Sequence, residues 1–193
     1  MRSVSTLPEG YTEIYSVDLQ KNKKMAVTIN AIAIAIAAVM VVPALFLVPI
    51  STLFDMESGI GAYLLRFGVL ALGSVAYIIL HELVHGITMK LFGTKKIKYG
   101  FTGMYAFAGS DDYYGKLPYI TIALAPIVVW GIVLAVLCLL VPCEWFWVVY
   151  FIQITNISGA AGDLFVTARF SRFPADILVR DYGVGMKVYS KTN

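Results

Sequence analysis

The 193-residue chain is too apolar for an ordinary soluble domain, since 59% of its residues are hydrophobic, 14% are charged and its mean hydropathy is +0.78. Its formal net charge of +3 is less informative than the positions of its cations. The two cysteines, Cys138 and Cys143, form neither a disulfide framework nor a zinc-finger pattern. The composition therefore favours an integral membrane protein.

The chain begins with a polar, interrupted segment, residues 1–24, which we interpret as a cytosolic N-terminal arm. Apolar runs long enough to cross a bilayer as helices follow at residues 25–50, 63–92, 117–141 and 145–170. The first run is too long for the apolar region of a signal peptide, so we expect it to be retained. Residues 171–193 form a polar cytosolic tail. The predicted fold class is all-α integral membrane, with four transmembrane helices within residues 25–170.

The basic residues are distributed asymmetrically about these spans. All of the 15 Lys and Arg residues except Arg66 lie in the arm, in the tail, or in the loop between the second and third spans, with the adjoining helix ends. By the positive-inside rule, this distribution places both termini in the cytosol. We expect a multi-pass protein of the cell membrane.

The chain has two histidines, and both lie in the motif His81-Glu82-Leu83-Val84-His85 of the second span. Residues four apart share one face of a helix, so both imidazoles can reach one metal ion. Glu82 is placed to act as a general base toward water. The alternative is a buried histidine pair without a metal. Because such groups are costly in hydrocarbon unless they have partners, we favour a zinc site.

A catalytic zinc ion usually takes three protein ligands. Asp163 is the acidic residue that lies within another span at the depth of His85, since each is close to a basic residue at the cytosolic end of its helix. We therefore predict Asp163 as the third ligand. The alternative is a packing seam in which Asp163 bonds a neighbouring side chain.

A stripe of small and polar residues surrounds Asp163 on the fourth span, with Asn156 and Gly159 at helical spacing from it. Small residues let membrane helices approach each other closely. Asn156 and Gly159 are candidate substrate-binding residues. For Asn156, a substrate contact and a hydrogen bond between helices are equally compatible with the sequence.

The loop before the third span alternates aromatic and smaller residues around Thr102-Gly103, which predicts a β-hairpin at the cytosolic membrane surface. Tyr105 and Phe107 in this hairpin are candidate substrate-binding residues, because a strand edge can bind an extended peptide by strand addition. An amphipathic loop that seals the helix ends fits the pattern equally well. In the tail, residues 177–180 and 186–189 are candidate short strands.

The motif His81-Glu82-Leu83-Val84-His85-Gly86, followed by Asn156 and Gly162-Asp163 in a later span, resembles the site-2 proteases, which cleave peptides within membranes. That resemblance implies zinc ligands at His81, His85 and Asp163 and a general base at Glu82. Site-2 proteases carry a proline near the aspartate, whereas this chain has Ala161-Gly162-Asp163.

The chain is also similar to a family of small four-helix membrane proteins called putative zincin peptidases. This similarity extends over most of the chain through short matches at Leu7-Pro8-Glu9-Gly10-Tyr11, Tyr105-Ala106-Phe107, Ala125-Pro126 and Asp181-Tyr182-Gly183. It implies that residues 25–170 form a transmembrane zinc-peptidase domain.

Together these features predict a membrane-embedded zinc metallopeptidase, with Zn²⁺ as its cofactor. Its expected partners are a peptide or membrane-protein substrate and the lipid bilayer, with no nucleic acid. The alternative is a non-catalytic zinc-binding membrane protein, either a metal carrier or a regulatory pseudoenzyme. A carrier would need further ligands deeper in the spans, and the sequence places no other histidine or acid there.

The charge asymmetry generates a prediction about topology. Epitope tags at either terminus should be accessible from the cytosolic side of the membrane, and a tag inserted in the loop at residues 51–61 should be accessible from the opposite side. Antibody binding to oriented vesicles, before and after permeabilisation, measures this. A terminal tag that is accessible only from outside would contradict the topology.

Overall fold

The computed structural model describes residues 3–18, 21–103 and 105–191. Arg2, one of the cations of the arm, lies outside the described residues. Within the described part the chain is mostly helical, and three of its helices are long and apolar enough to cross a membrane: α1 (Lys23–Leu47), α2 (Ile60–Leu91) and α3 (Lys116–Leu140). A short 3-10 helix, Ile50–Phe54, follows α1. These helices confirm the first three predicted apolar segments.

The predicted fourth span is not one continuous helix. It consists of α4 (Cys143–Gly159) and α5 (Ala161–Phe170), and the helix is interrupted at Ala160. Ala160 has φ −84° and ψ 19°, and its N–H bonds the Ser158 carbonyl instead of continuing the α-helical ladder. Glycine has low helix propensity, and Gly159 and Gly162 flank the interruption. The interruption places Asp163 in the first turn of α5.

The expectation of an all-α fold is correct only in part, because the two polar ends of the chain and a strand before α3 form a four-stranded sheet. The strands of the described chain are β1 (Tyr11–Asp18), β2 (Lys98–Phe101), β3 (Ala106–Gly109), β4 (Tyr113–Gly115), β5 (Leu178–Asp181) and β6 (Gly185–Lys191). An antiparallel sheet has the order β1-β6-β5-β4, while β2 and β3 pair separately as the predicted hairpin. The candidate strands in the tail are confirmed as β5 and β6.

One strand of the arm pairs with one strand of the tail. Strand β1 runs antiparallel to β6, from Tyr11 opposite Lys191 to Asp18 opposite Gly185. The arm is polar and shows no strong alternation, so its own sequence does not mark a strand. The backbone groups of β1 find their hydrogen-bond partners in β6. A strand whose hydrogen bonds go to the other end of the chain has little local signature in the sequence.

The chain divides into two compact units. Unit 1 comprises Met1–Ile29, His81–Pro126 and Gly162–Asn193, and unit 2 comprises Asn30–Leu80 and Ile127–Ala161. The core of unit 1 is centred on fully buried aromatic and aliphatic side chains: Tyr114, Phe170, Val179 and Val188. It packs the C-terminal end of α2 and the start of α3 against α5 and the four-stranded sheet.

Unit 2 is organised around Trp147 of α4, which is fully buried among Ala44, Leu53 and Val148. Its indole Nε1 donates to the carbonyl of Val48 at 3.2 Å. Arg66 of α2 is also buried, at 1% exposure, and it donates to the backbone carbonyl of Asp55. A buried cation at this end of α2 therefore binds the chain that follows the 3-10 helix.

Large apolar side chains are exposed along the three long helices. In α1 and α3, Phe46 is 87% exposed and Leu139 is 84% exposed. In water, exposed apolar surface of this extent would drive aggregation or association. A helix that is apolar on its outer face as well as its inner face is typical of a lipid environment.

Candidate metal centre

Three potential metal ligands converge in unit 1, as the sequence predicts. His81 and His85 lie one turn apart on α2, and Asp163 lies in the first turn of α5. One donor atom from each of the three side chains lies within 4.8 Å of the others. Both histidines are buried, at 9% and 8% exposure, and Asp163 is half-buried.

The distances within this cluster match a shared metal ion better than direct hydrogen bonds. His81 Nε2 lies 3.6 Å from Asp163 Oδ2, and His85 Nε2 lies 3.7 Å from Asp163 Oδ1. Both separations exceed the usual hydrogen-bond range of about 2.7–3.2 Å. Ligands about 2.0–2.1 Å from a tetrahedral zinc ion lie about 3.3–3.4 Å from each other. A small adjustment of these two histidine–aspartate separations would bring them to the value for zinc ligands.

The backbone orients the ring of His85. Its Nδ1 lies 2.9 Å from the carbonyl oxygen of Ile122 in α3, a contact that requires a proton on Nδ1 because a carbonyl can only accept. In the neutral imidazole the unprotonated nitrogen is then Nε2, which faces Asp163. This is the arrangement of metal-ligating histidines in general, whose second nitrogen donates to an acceptor that fixes the tautomer.

Glu82 is half-buried beside the cluster but is not one of the three converging ligands. The backbone N–H of Ala108 in β3 donates a hydrogen bond to its carboxylate. This bond connects the predicted general base to the hairpin. The position of Glu82 next to the ligands, on the turn of α2 that carries them, suits proton transfer rather than metal binding.

The β2–β3 hairpin packs against the same two turns of α2. A Cβ atom at Gly86 would lie 1.9 Å from the hydroxyl oxygen of Tyr99, so a larger residue there would displace the Tyr99 ring. Tyr99 pairs across the hairpin with Ala108, which contacts Glu82. Gly86, directly after the second histidine, therefore permits the close approach of the hairpin to the motif.

The turn Asp181-Tyr182-Gly183 supports the other side of the hairpin. The N–H of Ser110, just after β3, donates to the Asp181 carbonyl at 2.7 Å. The Asp181 carboxylate accepts from the Tyr119 hydroxyl at 2.6 Å and from the Gly183 N–H at 2.9 Å. Burial raises the pKa of the Asp181 carboxyl group above its usual range. In the sequence, only the short glycine-containing motif marks this turn, and no role is predicted from it.

An exposed ion-pair network also connects the hairpin to the sheet. The Asp111 carboxylate accepts from Lys98 of β2 at 2.6 Å and from Arg180 of β5 at 2.8 Å. These two bonds lower the pKa of the Asp111 carboxyl group. Because the three side chains are exposed, we expect only a modest contribution to stability.

Two of the candidate substrate-binding residues, Tyr105 and Phe107, lie in the hairpin. Tyr105 closes the hairpin turn, and its N–H bonds the Thr102 hydroxyl at 3.1 Å. Phe107 is half-buried, and its ring fills the space next to Gly100 and Gly183. A substrate contact by either side chain stays a prediction.

Asn156 and Gly159 belong to unit 2. Asn156 is fully buried, accepts from the Tyr77 hydroxyl at 2.8 Å and donates to the Ile127 carbonyl at 3.2 Å. These bonds satisfy its amide and favour the interhelical alternative that the sequence left open. Gly159 is exposed at the end of α4, where an added Cβ would make only an ordinary contact with Thr155 at 3.8 Å. Substrate binding by these two residues stays a prediction.

Comparison with known proteins defines the class of protein that this fold and site represent. The family model described as "putative zincin peptidase" matches residues 74–178, which include both histidines, Glu82 and Asp163. The chain belongs to this family.

A curated relative is an uncharacterized 24.7 kDa protein of Pyrococcus woesei, which is 35% identical over 130 residues. The aligned part covers 64% of this chain and 55% of that protein, so the chain spans about half the length of its curated relative. No solved structure matches the chain significantly.

The geometry of the cluster predicts the effect of removing its acid. Asp163→Ala should lose zinc about as completely as His85→Ala, because each removes one of three inner ligands. Elemental analysis of the folded protein measures the zinc content. The control is Asp111→Ala, which removes an exposed carboxylate and should keep zinc. Stoichiometric zinc in Asp163→Ala would show that the third ligand is another group.

Proposed function

We propose that this protein is a membrane-embedded zinc metallopeptidase. The observation that carries the proposal is the convergence of His81, His85 and Asp163 at zinc-like separations, with Glu82 beside them in the same helix turn. Membership of a zincin family supports the same chemistry. A histidine pair alone would support metal binding, whereas the added glutamate supports hydrolysis.

We place the protein in the membrane as a multi-pass protein of the cell membrane, with both termini cytosolic. Helices α1, α2 and α3 have the length and composition to span a bilayer. The fourth crossing is assigned to α4 and α5 together, with the interruption at Ala160 inside the protein. Non-helical backbone at membrane depth is tolerated where it is buried in protein or lines a water-filled cavity.

In this proposal, the three ligands hold zinc through His81 Nε2, His85 Nε2 and the Asp163 carboxylate. When bound, zinc supplies Lewis-acid activation of water and of the scissile carbonyl. The Glu82 carboxylate accepts the proton of the attacking water and then delivers it to the amine of the leaving peptide. The Ala108 N–H holds the Glu82 carboxylate in position during this transfer.

The substrate is a peptide or a membrane-protein segment in extended form. A helical segment cannot be attacked readily, because its carbonyls are already hydrogen-bonded and shielded. We propose that the extended segment binds along the edge of β3 by strand addition. This site is directly beside Glu82.

The register of the hairpin supports this binding edge. In an antiparallel pair, alternate residues turn their N–H and C=O groups away from the partner strand. The N–H of Ala108 donates to the Glu82 carboxylate, and the N–H of Ser110 donates to the Asp181 carbonyl. The N–H groups of both residues therefore point away from β2. By the same alternation, the N–H and C=O of Ala106 and the C=O of Ala108 face that edge and can pair with a substrate strand.

Strand addition predicts an alternating sensitivity to substrate backbone changes. In a peptide that the protein cleaves, N-methylation of a residue whose N–H faces β3 should raise KM at least about fivefold, the effect of one lost hydrogen bond of about 1 kcal/mol. Methylation of the neighbouring residues should have little effect. Steady-state kinetics on a methylation series measures the pattern. Equal sensitivity at every position, or at none, would contradict strand addition.

Replacement of Glu82 separates an enzyme from a zinc-binding protein without activity. Glu82→Gln keeps the size of the side chain and cannot accept the proton, so it should retain zinc while peptide cleavage falls by about 10²-fold or more. Zinc content and product formation are measured on the same preparations. The control is Glu57→Gln in an exposed loop, which should keep both properties.

Two outcomes of this experiment would contradict the proposal. Cleavage by Glu82→Gln at the wild-type rate would exclude Glu82 as the base. Failure of the wild-type protein to cleave any member of a broad set of membrane and soluble peptides, with zinc bound, would favour the carrier or regulatory reading.

A further inference from the structure

A buried proline lies in the middle of α3. Pro126 is less than 2% exposed and, with Pro43 of α1, is one of the two prolines beyond the first turn of a long helix in the described chain. Proline has no backbone N–H, so the carbonyl four residues earlier loses its helical partner. For Pro126 that carbonyl belongs to Ile122.

An unpaired carbonyl in an apolar interior is costly, so the acceptor freed by Pro126 requires another donor. The donor is a metal ligand. His85 Nδ1 lies 2.9 Å from the Ile122 carbonyl oxygen, within unit 1. In a regular helix the N–H of residue 126 would bond that oxygen. The missing N–H of Pro126 and the hydrogen bond from His85 therefore concern the same atom, the carbonyl oxygen of Ile122.

We infer that Pro126 is a positioning residue of the metal centre: it frees the Ile122 carbonyl so that His85 can donate its Nδ1–H there and keep Nε2 available for the metal. This inference rests on the proposed zinc site. It assigns a role in metal affinity to Pro126, a residue whose side chain has no atom that could bind the metal.

A backbone carbonyl has two advantages over a carboxylate as the partner of His85. It is neutral, so its burial in apolar surroundings costs far less than burial of a charge. It also cannot compete with Asp163 as a strong ligand for the same ion. In an α-helix, however, every interior carbonyl is already bonded, and a proline four residues later is a direct way to release one.

The test compares two proline variants. Pro126→Ala restores an N–H that competes with His85 for the Ile122 oxygen, and should weaken zinc binding about 10–100-fold, the usual effect of losing such a partner of a ligating histidine. The matched control is Pro43→Ala, an exposed proline within α1, which should leave zinc affinity unchanged. Competition with a chelator in detergent measures both dissociation constants.

A structural role alone would give a different pattern. The substitution Pro126→Ala replaces a helix-breaking residue with a strong helix former. The thermal stability of the metal-free variant should therefore not fall. An ester analogue with lactic acid at position 126 also lacks the N–H and should bind zinc like the wild type, although it has no ring. ¹⁵N NMR of the two histidines in metal-free protein should show His85 protonated at Nδ1 in the wild type and a mixture of tautomers in Pro126→Ala.

The outcomes separate this inference from the proposed function. If the wild type binds zinc and Pro126→Ala binds it equally well, Pro126 has no positioning role and the zinc site stands. Equal loss of affinity in the ester analogue would show that the ring matters rather than the missing N–H, and would also overturn the inference. If the wild type binds no zinc, the proposed function and the inference are both wrong.

Discussion

Everything in the site depends on one constraint: ionisable groups placed in an apolar helix require partners. His81, His85 and Asp163 meet that constraint together, because their donor atoms lie within 4.8 Å and can share one cation. Without an ion, their separations of 3.6 and 3.7 Å leave them too far apart for good hydrogen bonds. The cluster is therefore better suited to a shared cation than to direct hydrogen bonds.

The backbone satisfies the remaining polar atoms around the cluster. A carbonyl of α3 accepts from His85, and an N–H of β3 donates to Glu82. Neutral backbone groups can orient ligands and base without adding charge to an apolar region. This explains the use of a proline and of a glycine near the site, since Pro126 frees an acceptor and Gly86 lets the hairpin approach.

Within unit 1, the hairpin packs against α2, and the four-stranded sheet packs against α2, α3 and α5. The turn at Asp181 bonds both Tyr119 of α3 and Ser110 after β3, so the position of the hairpin depends on α3 and on the tail. A strand edge that binds substrate must be held still to favour one register over another. The pairing of the arm with the tail contributes to this by completing the sheet.

The sequence by itself determined the features that depend on local spacing. Apolar runs specified the long helices, and the four-residue spacing of His81 and His85 specified one shared face. The depth of Asp163 within its apolar run identified it as the candidate third ligand. The alternation of aromatic and smaller residues identified the hairpin. The helices, the shared histidine face and the hairpin each depend on residue types that are near in sequence, and the depth of Asp163 was counted from Arg169 at the end of its own helix.

Only the tertiary structure decided the pairing of β1 with β6, the interruption at Ala160 and the partners of His85 and Glu82. The strands β1 and β6 stand at opposite ends of the chain, so no local pattern joins them. The partners of His85 and Glu82 are backbone atoms, which every residue carries, and residue identity therefore gives them no signature. Their selection depends on which helix and which strand edge come to lie beside α2.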